Sequence, residues 1–291
     1  METRKFIDAH VHGFIKPADK NHFKKNIQAL LDHGLEKIII AALPLHGFDY
    51  QLKLSLTPPH IQPFISKENF DETRLLADWT EEYRLQKIVI PFIDVRFVTE
   101  NVRGTVLNAL QSGCRGIKAA FIPESDRILT IQGIPQALGI STERYCSIQE
   151  EIFTVAHDLN LPLLYHINLS QHFDWIADLL TKFPLLRISI PHLGYSLRKI
   201  SDILHRFENT YTDPSYLIDL LNKNNKRYLA FIDRYHTKIL SGSDAIIANG
   251  IDAILPYPYY FSLLPVPDTV IDRILRKNAY TFLSLPEEGI R

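Results

Sequence analysis

The chain has 291 residues, about twice the usual size of a domain, so it forms either two ordinary domains or one large closed architecture. Hydrophobic residues make up 46% of the sequence and charged residues 22%, which excludes a disordered chain and a coiled coil. The formal net charge of -1 provides no concentrated positive field, so neither nucleic acid nor an anionic membrane is an expected partner.

The cysteine and histidine counts indicate the compartment and the kind of metal site. Cys114 and Cys146 are too few for a disulfide framework, and the first residues, METRKFIDAHVHGF, lack the apolar core of a signal peptide. A cytoplasmic protein is therefore expected, and a homo-oligomer is left open. Twelve histidines against two cysteines and one methionine predict that any metal site uses nitrogen and oxygen ligands.

Short apolar runs alternate along the chain with longer segments of helical period. The predicted strands are eight in number and cover residues 5–12, 36–43, 87–95, 114–121, 161–166, 185–192, 209–213 and 238–244. The predicted helices include 23–33, which stops at Gly34, and a last helix from about residue 269. The clearest helix is 148–159, with Ser147 as its N-cap and Glu150 completing a capping box.

Eight strand and helix pairs in fewer than 300 residues predict a parallel sheet closed into a single (β/α)8 TIM barrel, an α/β fold that uses residues 1–291 as one domain. Two segments, 49–71 and 125–147, are too long for ordinary loops, and a third, 256–267, follows the last predicted strand. We expect 49–71 and 125–147 to extend over the C-terminal face of the barrel, and 256–267 to add an aromatic wall there.

Metal-binding residue types stand at the ends of several predicted strands, where a barrel of this kind carries its chemistry. His10 and His12 end the first strand, and residues two apart on a strand project from the same face, so both imidazoles should point into the barrel. The same alternation predicts that Ile7, Ala9 and Val11 point outward to the helices.

The fifth, sixth and eighth predicted strands end at His166, His192 and Asp244. Two neighbouring histidines, a third from across the barrel and a carboxylate suit one divalent ion, with zinc the first expectation and manganese, iron or cobalt the alternatives. Such an ion lowers the pKa of a water from 15.7 to about 7, and a carboxylate beside it can take the remaining proton. Asp244 is the residue predicted to do so.

Sequence motifs in strand order extend this pattern to nearly the whole chain. They are FIDAHVHGF at 6–14, GIK at 116–118, LLYH at 163–166, IPHLG at 190–194, YTDPS at 211–215, LSGSD at 240–244 and KNAYTFL at 277–283. Together they resemble the amidohydrolase superfamily, and within it the amidohydrolase-related branch of metal-dependent hydrolases and decarboxylases. The resemblance implies a (β/α)8 fold and one divalent metal. It also implies the metal ligands His10, His12, His166 and Asp244, and a catalytic acid or base, His192, beside the substrate.

The orientation of His192 depends on the backbone of the sixth strand. Regular alternation would point Leu186, Ile188 and Ile190 inward together with His192, and would leave Arg187 and Ser189 facing the helices. Facing the helices is an unfavourable position for the polar side chains of Arg187 and Ser189. Pro191 is the residue that could break the alternation.

Further cationic residues could bind an acidic substrate. Lys118 lies in the fourth strand, where two-metal members of the superfamily carry a carbamylated lysine. The resemblance to the one-metal branch instead favours a contact between Lys118 and the substrate. The structural alternative is an ion pair inside the barrel mouth. Arg96 and His46 follow the third and second strands and could meet a carboxylate, or be ordinary exposed loop residues. Asp213, before Pro214, is interpreted as a helix N-cap.

The expected function is metal-dependent hydrolysis of an ester, lactone or amide carbonyl in a small substrate that bears a carboxylate. Non-oxidative decarboxylation of an aromatic or enolic acid is the alternative within enzymes. A barrel that binds metal or a small acid without turnover is the alternative from another class.

Overall fold

The computed structural model describes residues 4–44, 50–223 and 225–287. Its strands form one eight-stranded sheet in which every pair is parallel, in the order β7-β6-β5-β4-β3-β2-β1-β8. They are β1 Phe6–His12, β2 Leu35–Ala42, β3 Val89–Asp94, β4 Gly116–Phe121, β5 Leu163–Ile167, β6 Ile188–Ile190, β7 Thr210–Thr212 and β8 Ala245–Ile246. The predicted (β/α)8 fold is confirmed.

Helices alternate with the strands along the chain, and the last of them packs against the residues inside the barrel. They are α1 Lys20–Asp32, α2 Tyr50–Ser55, α3 Glu72–Glu82, α4 Val102–Gln111, α5 Ile134–Leu138, α6 Thr142–Asp158, α7 Leu169–Lys182, α8 Leu197–Arg206, α9 Ile218–Lys223, α10 Asn225–Tyr235, α11 Pro256–Ser262, α12 Asp268–Asp272 and α13 Asn278–Leu283. A π-helical turn, Arg273–Lys277, joins the last two. Within the described ranges, no helix is both long and apolar enough to cross a membrane.

The eighth strand differs from its prediction. Only Ala245–Ile246 pairs as a strand, after Asp244, whose φ of 60° interrupts the extended backbone. The predicted run still joins the two edges of the sheet, because the Thr212 amide donates to Lys238 O at 2.9 Å and the Ala9 amide donates to Ser241 O at 2.8 Å. Residues 238–241 therefore close the barrel between β7 and β1.

Helix α6 begins earlier than predicted. Its N-cap is Ser141, whose hydroxyl oxygen accepts a hydrogen bond from the Arg144 amide at 3.2 Å. Ser147, the predicted N-cap, lies inside the helix. Both serines are suitable capping residues, but the chain at Ser141 is extended and leaves the first-turn amides free to be capped.

The side-chain alternation of β1 is broken by a register shift between Asp8 and Val11. Val11 packs with core residues of the helices, as predicted. Ile7 and Ala9 instead pack with Ile39 and with inward residues of β3, β5 and β7, so their predicted outward orientation is wrong. The shift exchanges the inward and outward positions along the strand. This exchange explains how Ile7 and Ala9 can share the barrel interior with the histidines that follow them.

In strand β6, too, the side chains point the opposite way from the orientation that regular alternation back from His192 predicts. Ile188 and Ile190 pack in the core formed with the helices, and Ser189 between them is buried. The strand ends at Ile190, and after Pro191 the chain enters the left-handed region at His192, with φ of 57°. This turn, rather than strand alternation, brings His192 to the C-terminal end of the barrel.

Gly116 begins β4 because only a residue without a side chain fits there. A Cβ at this position would overlap the ring of Phe92, which is fully buried inside the barrel. We expect Gly116→Ala to lower the free energy of unfolding by about 1–3 kcal/mol, as overpacking does. Urea unfolding measures this change.

The Phe92→Leu variant provides the control for Gly116, since it removes the ring that the new methyl group would meet. In the Phe92→Leu background, Gly116→Ala should cost clearly less than in the wild type. An equal cost in both backgrounds would show that the overlap with Phe92 is not the cause.

Candidate functional site

Two histidines and an aspartate converge at the C-terminal end of the barrel. Asp244 Oδ1 lies 2.9 Å from His10 Nε2 and 2.9 Å from His12 Nε2. One ligand atom of each residue lies within 4.8 Å of those of the other two. Asp244 Oδ1 is buried and has no well-directed hydrogen bond, so this His–His–Asp group (His10, His12, Asp244) fits a divalent cation, which prefers such nitrogen and oxygen donors.

Asp8 holds the two sequence segments of the His–His–Asp group together. Its Oδ1 accepts hydrogen bonds from the amides of His10 and Ser243, each at 3.1 Å. The amide of Asp244 in turn donates to His10 O at 2.7 Å. Burial raises the pKa of Asp8 to about 7. Asp8 is not among the site residues predicted from the sequence, although its position two residues before His10 is the available signal.

Asp213 orients the first histidine. Its Oδ2 lies 3.2 Å from His10 Nδ1, which leaves Nε2 of the same ring directed at Asp244. A carboxylate on one ring nitrogen favours the tautomer whose other nitrogen can bind a metal. Burial opposes ionisation of Asp213, but the charge and hydrogen bond of His10 hold the pKa of Asp213 at about 2.

The interpretation of Asp213 as a helix N-cap is wrong, because no helix begins at Pro214; the next helix starts at Ile218. Oδ1 of Asp213 accepts a hydrogen bond from the Ser215 amide at 3.0 Å. Such a bond, from a residue two positions later, is a local turn. The Asp213 carboxylate therefore contacts both the amide of Ser215 in its own loop and the ring of His10.

His192 faces the free side of the Asp244 carboxylate. Its Nε2 lies 3.6 Å from Asp244 Oδ2, and its Nδ1 lies 2.9 Å from the Ser215 hydroxyl oxygen. Burial lowers the pKa of His192, whereas for Asp244 the neighbouring His10 and His12 outweigh burial and hold the pKa well below its usual range. The pair thus places an ionised carboxylate beside a largely neutral imidazole.

His166 lies in the same cavity but outside the His–His–Asp group. Its ring centre is 5.1 Å from that of His192, and its Nε2 is 3.4 Å from the Tyr195 hydroxyl. Burial lowers the pKa of His166 well below its ordinary value, which favours the neutral form that binds metals. Its predicted role as a ligand stays a prediction.

The cationic residues differ in how they are held. Lys118 is buried inside the barrel with its Nζ 3.1 Å from His10 Nε2, and burial lowers its pKa to about 8. Arg96 is clamped by Asp94, since its Nε lies 2.9 and 2.8 Å from the two carboxylate oxygens. Both residues line the cavity. His46 lies outside the described residues.

The site opens into a cavity of about 310 Å³. Its wall combines the polar residues at the strand ends with side chains from loops. They are His12, Leu56, Pro58, His60, Ile61, Arg96, Lys118, Ala120, Ile122, Ile128, Leu129, Ile131, His166, His192, Tyr195, Tyr216, Leu217 and Asp244. The described residues of segments 49–71 and 125–147 therefore reach the C-terminal face, as predicted.

Segment 256–267, the predicted aromatic wall, contributes indirectly. Tyr257 of α11 is buried, and its hydroxyl oxygen accepts a hydrogen bond from the Tyr216 amide at 2.7 Å. None of the described residues of 256–267 is part of the cavity wall. The expected aromatic wall is thus a support behind Tyr216.

The family of the chain follows from its sequence. A family model described as amidohydrolase matches residues 113–285, more than half of the chain. The chain belongs to the amidohydrolase family. The amidohydrolase family is metal-dependent, so this amidohydrolase is an enzyme of that general class. The resemblance inferred from the motifs is confirmed. No protein of curated function matches the sequence.

Solved structures share the fold of this amidohydrolase at low sequence identity. An uncharacterized TIM-barrel protein from Bordetella bronchiseptica is 13% identical with a TM-score of 0.60, over 96% of this chain and 98% of that one. A probable 2-pyrone-4,6-dicarboxylic acid hydrolase from Acinetobacter baumannii, with citric acid bound, is 12% identical with a TM-score of 0.59, over 97% and 100%. A dihydroxybenzoic acid decarboxylase from Polaromonas sp. JS666, with manganese and 2-nitroresorcinol bound, is 15% identical with a TM-score of 0.60, over 97% of each chain.

Glu72 supports the site from α3. Its Oε2 accepts hydrogen bonds from the amides of Phe14 and Leu43, each at 3.1 Å, and so joins the loops that follow β1 and β2. Burial, reinforced by the charge of Asp94, raises the pKa of Glu72 from 4.5 to about 8. The folded protein therefore keeps a proton that the unfolded chain releases above pH 4.5.

We expect the stability of the Glu72→Gln variant relative to the wild type to increase as the pH rises from 4.5 to about 8. The glutamine has no charge to bury, whereas the wild type loses stability throughout that window. Urea midpoints measured across this range test the prediction. Glu81→Gln, at an exposed position of the same helix, is the matched control. A constant difference between Glu72→Gln and the wild type would contradict the assignment.

Proposed function

We propose that this amidohydrolase is a metal-dependent hydrolase of an ester, lactone or amide carbonyl in a small substrate that carries a carboxylate, and that residues 1–291 form its single domain. The observation that carries the proposal is the convergence of His10, His12 and Asp244 on one point, with Oδ2 of Asp244 facing His192. This arrangement combines metal donors with acid–base groups, Asp244 and His192, which a site that only binds metal does not need.

His10, His12 and Asp244 would hold one divalent ion, with His166 as the fourth protein ligand. When bound, the ion supplies Lewis-acid activation of a water and of the substrate carbonyl. Zinc suits these donors, and manganese is the main alternative, since it occupies the decarboxylase of the same fold.

Asp244 would take the proton of the attacking water on Oδ2, the oxygen that faces away from His10 and His12. His192, 3.6 Å from that oxygen, would pass a proton to the leaving group. The Ser215 hydroxyl holds Nδ1 of the same ring, so the catalytic nitrogen stays directed at the cavity. Lys118 and Arg96 would bind the substrate carboxylate as cations within the cavity wall.

Non-oxidative decarboxylation of an aromatic or enolic acid is the second candidate. The same cations would bind the carboxylate to be lost, and three decarboxylase structures are among those of similar fold. In that reaction His192 or Asp244 would deliver a proton to the ring or enol carbon as carbon dioxide leaves.

A substrate panel separates these functions. Protein loaded with zinc or manganese is assayed against lactones, aryl esters and amides for hydrolysis, and against hydroxybenzoic and enolic acids for release of carbon dioxide. Hydrolysis that is lost in His192→Asn supports the proposal, and carbon dioxide release selects the second candidate. A stoichiometric metal content with no turnover of either class would indicate a binding protein.

A further inference from the structure

The two long inserts line the site cavity with aliphatic side chains. Leu56 and Ile61 come from segment 49–71, and Ile128, Leu129 and Ile131 come from segment 125–147. Among the described residues of these inserts, His60 is the one cavity-lining side chain that can carry a charge. We call this part of the cavity the aliphatic wall (Leu56, Ile61, Ile128, Leu129, Ile131). Its side chains have no hydrogen-bonding or charged group to bind a polar ligand.

The loop that carries Ile128, Leu129 and Ile131 is held in a defined shape. Asp126 and Ile131 form an antiparallel bridge, with amide-to-carbonyl distances of 3.0 and 3.2 Å. The Asp126 carboxylate also accepts hydrogen bonds from the amides of Ile128 and Leu129, at 2.7 and 3.0 Å. Because these bonds already order the loop, a ligand that packs on its aliphatic side chains does not have to order it on binding, which favours binding.

Ile128 remains 62% exposed although it lines the cavity. An exposed isoleucine at the edge of a polar site costs free energy that a bound hydrocarbon would recover by covering it. The ionisable residues of the same cavity provide the opposite environment, with Lys118 and Arg96 as its cations. One cavity therefore has a cationic part and an apolar part.

We propose that the substrate is amphipathic, with an anionic or carbonyl end at the strand-end residues and a short unbranched alkyl or aryl body packed on the aliphatic wall. The cavity of about 310 Å³ lies at the small end of the range of small-molecule sites, which limits the length of that body. This inference rests on the proposed function for the reacting end and adds the chemical class of the rest of the substrate.

Binding of straight-chain carboxylates tests the inference without requiring turnover. Acetate, butyrate, hexanoate, octanoate and decanoate are titrated calorimetrically into zinc-loaded protein. The affinity should rise about fourfold for each added methylene, and should stop rising once the cavity is full. An affinity that does not depend on chain length would overturn the inference.

Variants of the aliphatic wall locate the effect. Ile128→Ser should reduce the gain per methylene, whereas Leu185→Ser, at a position that is 73% exposed and not part of the cavity wall, should not. Because Ile128 is exposed, its replacement should leave the fold intact. Ile131→Phe should shorten the longest chain that still gains affinity. Unchanged chain-length dependence in both wall variants would also overturn the inference.

The two proposals can fail separately. If affinity rises with chain length but no ester, lactone, amide or acid is converted, the proposed function fails while the amphipathic ligand class stands. If short polar esters and their hexanoyl or phenylalkyl counterparts are hydrolysed with the same kcat/KM, the proposed function stands and the inference fails.

Discussion

The Asp244→Asn variant is expected to lose about 10²–10⁴-fold in kcat with its fold unchanged. The carboxylate has two separate tasks: Oδ1 faces His10 and His12, and Oδ2 faces His192. An asparagine keeps the shape of the side chain but cannot take a proton, and its neutral oxygen is a weaker metal donor. Steady-state kinetics on the best substrate of the panel, together with metal analysis, measure both losses.

The control for Asp244→Asn is Asp252→Asn, an exposed carboxyl on the turn Ile251–Ala253, which should keep wild-type kinetics. Far-UV circular dichroism and thermal melting establish that both variants are folded. If Asp244→Asn keeps more than about a tenth of wild-type kcat, an acid–base role for Asp244 is wrong.

Removal of divalent ions by a chelator is expected to abolish turnover and to lower the Tm by about 4 °C relative to protein held at one hundred times the metal Kd. An ion that binds only the folded state stabilises it by mass action. The fall in Tm thus reports on the site independently of activity. Readdition of zinc or manganese should restore both the Tm and the turnover.

Histidine variants assign that thermal response to the proposed site. His12→Ala should show no shift in Tm on chelation, whereas His157→Ala, an exposed histidine of α6, should behave as the wild type. His166→Gln should bind the metal more weakly if His166 is the fourth ligand. Two ions per chain, or a carbamylated Lys118 in the intact mass, would contradict the single-ion site.

The sequence alone predicts the parts of this protein that depend on local pattern. Alternation of apolar runs and helical segments predicts the parallel barrel, and polar residues at strand ends predict which side chains share its C-terminal face. His12, His166, His192 and Asp244 all line one cavity, as those positions indicated. Motif order also indicated the family that the match over 113–285 shows.

The tertiary structure decides which residues touch and which way the strands turn their side chains. The register shift in β1 reverses the side-chain orientation expected from alternation, because it depends on the pairing with β2 rather than on the local pattern. In the sixth strand Pro191 was a local signal for a break, but the left-handed turn that follows it decides where His192 lies. Asp213 meets His10 from 203 positions away in the chain, and no local signal distinguishes that contact from a turn. The sequence therefore predicts which residue types stand at the strand ends. The position of each of these side chains around the His–His–Asp group depends on how the barrel closes.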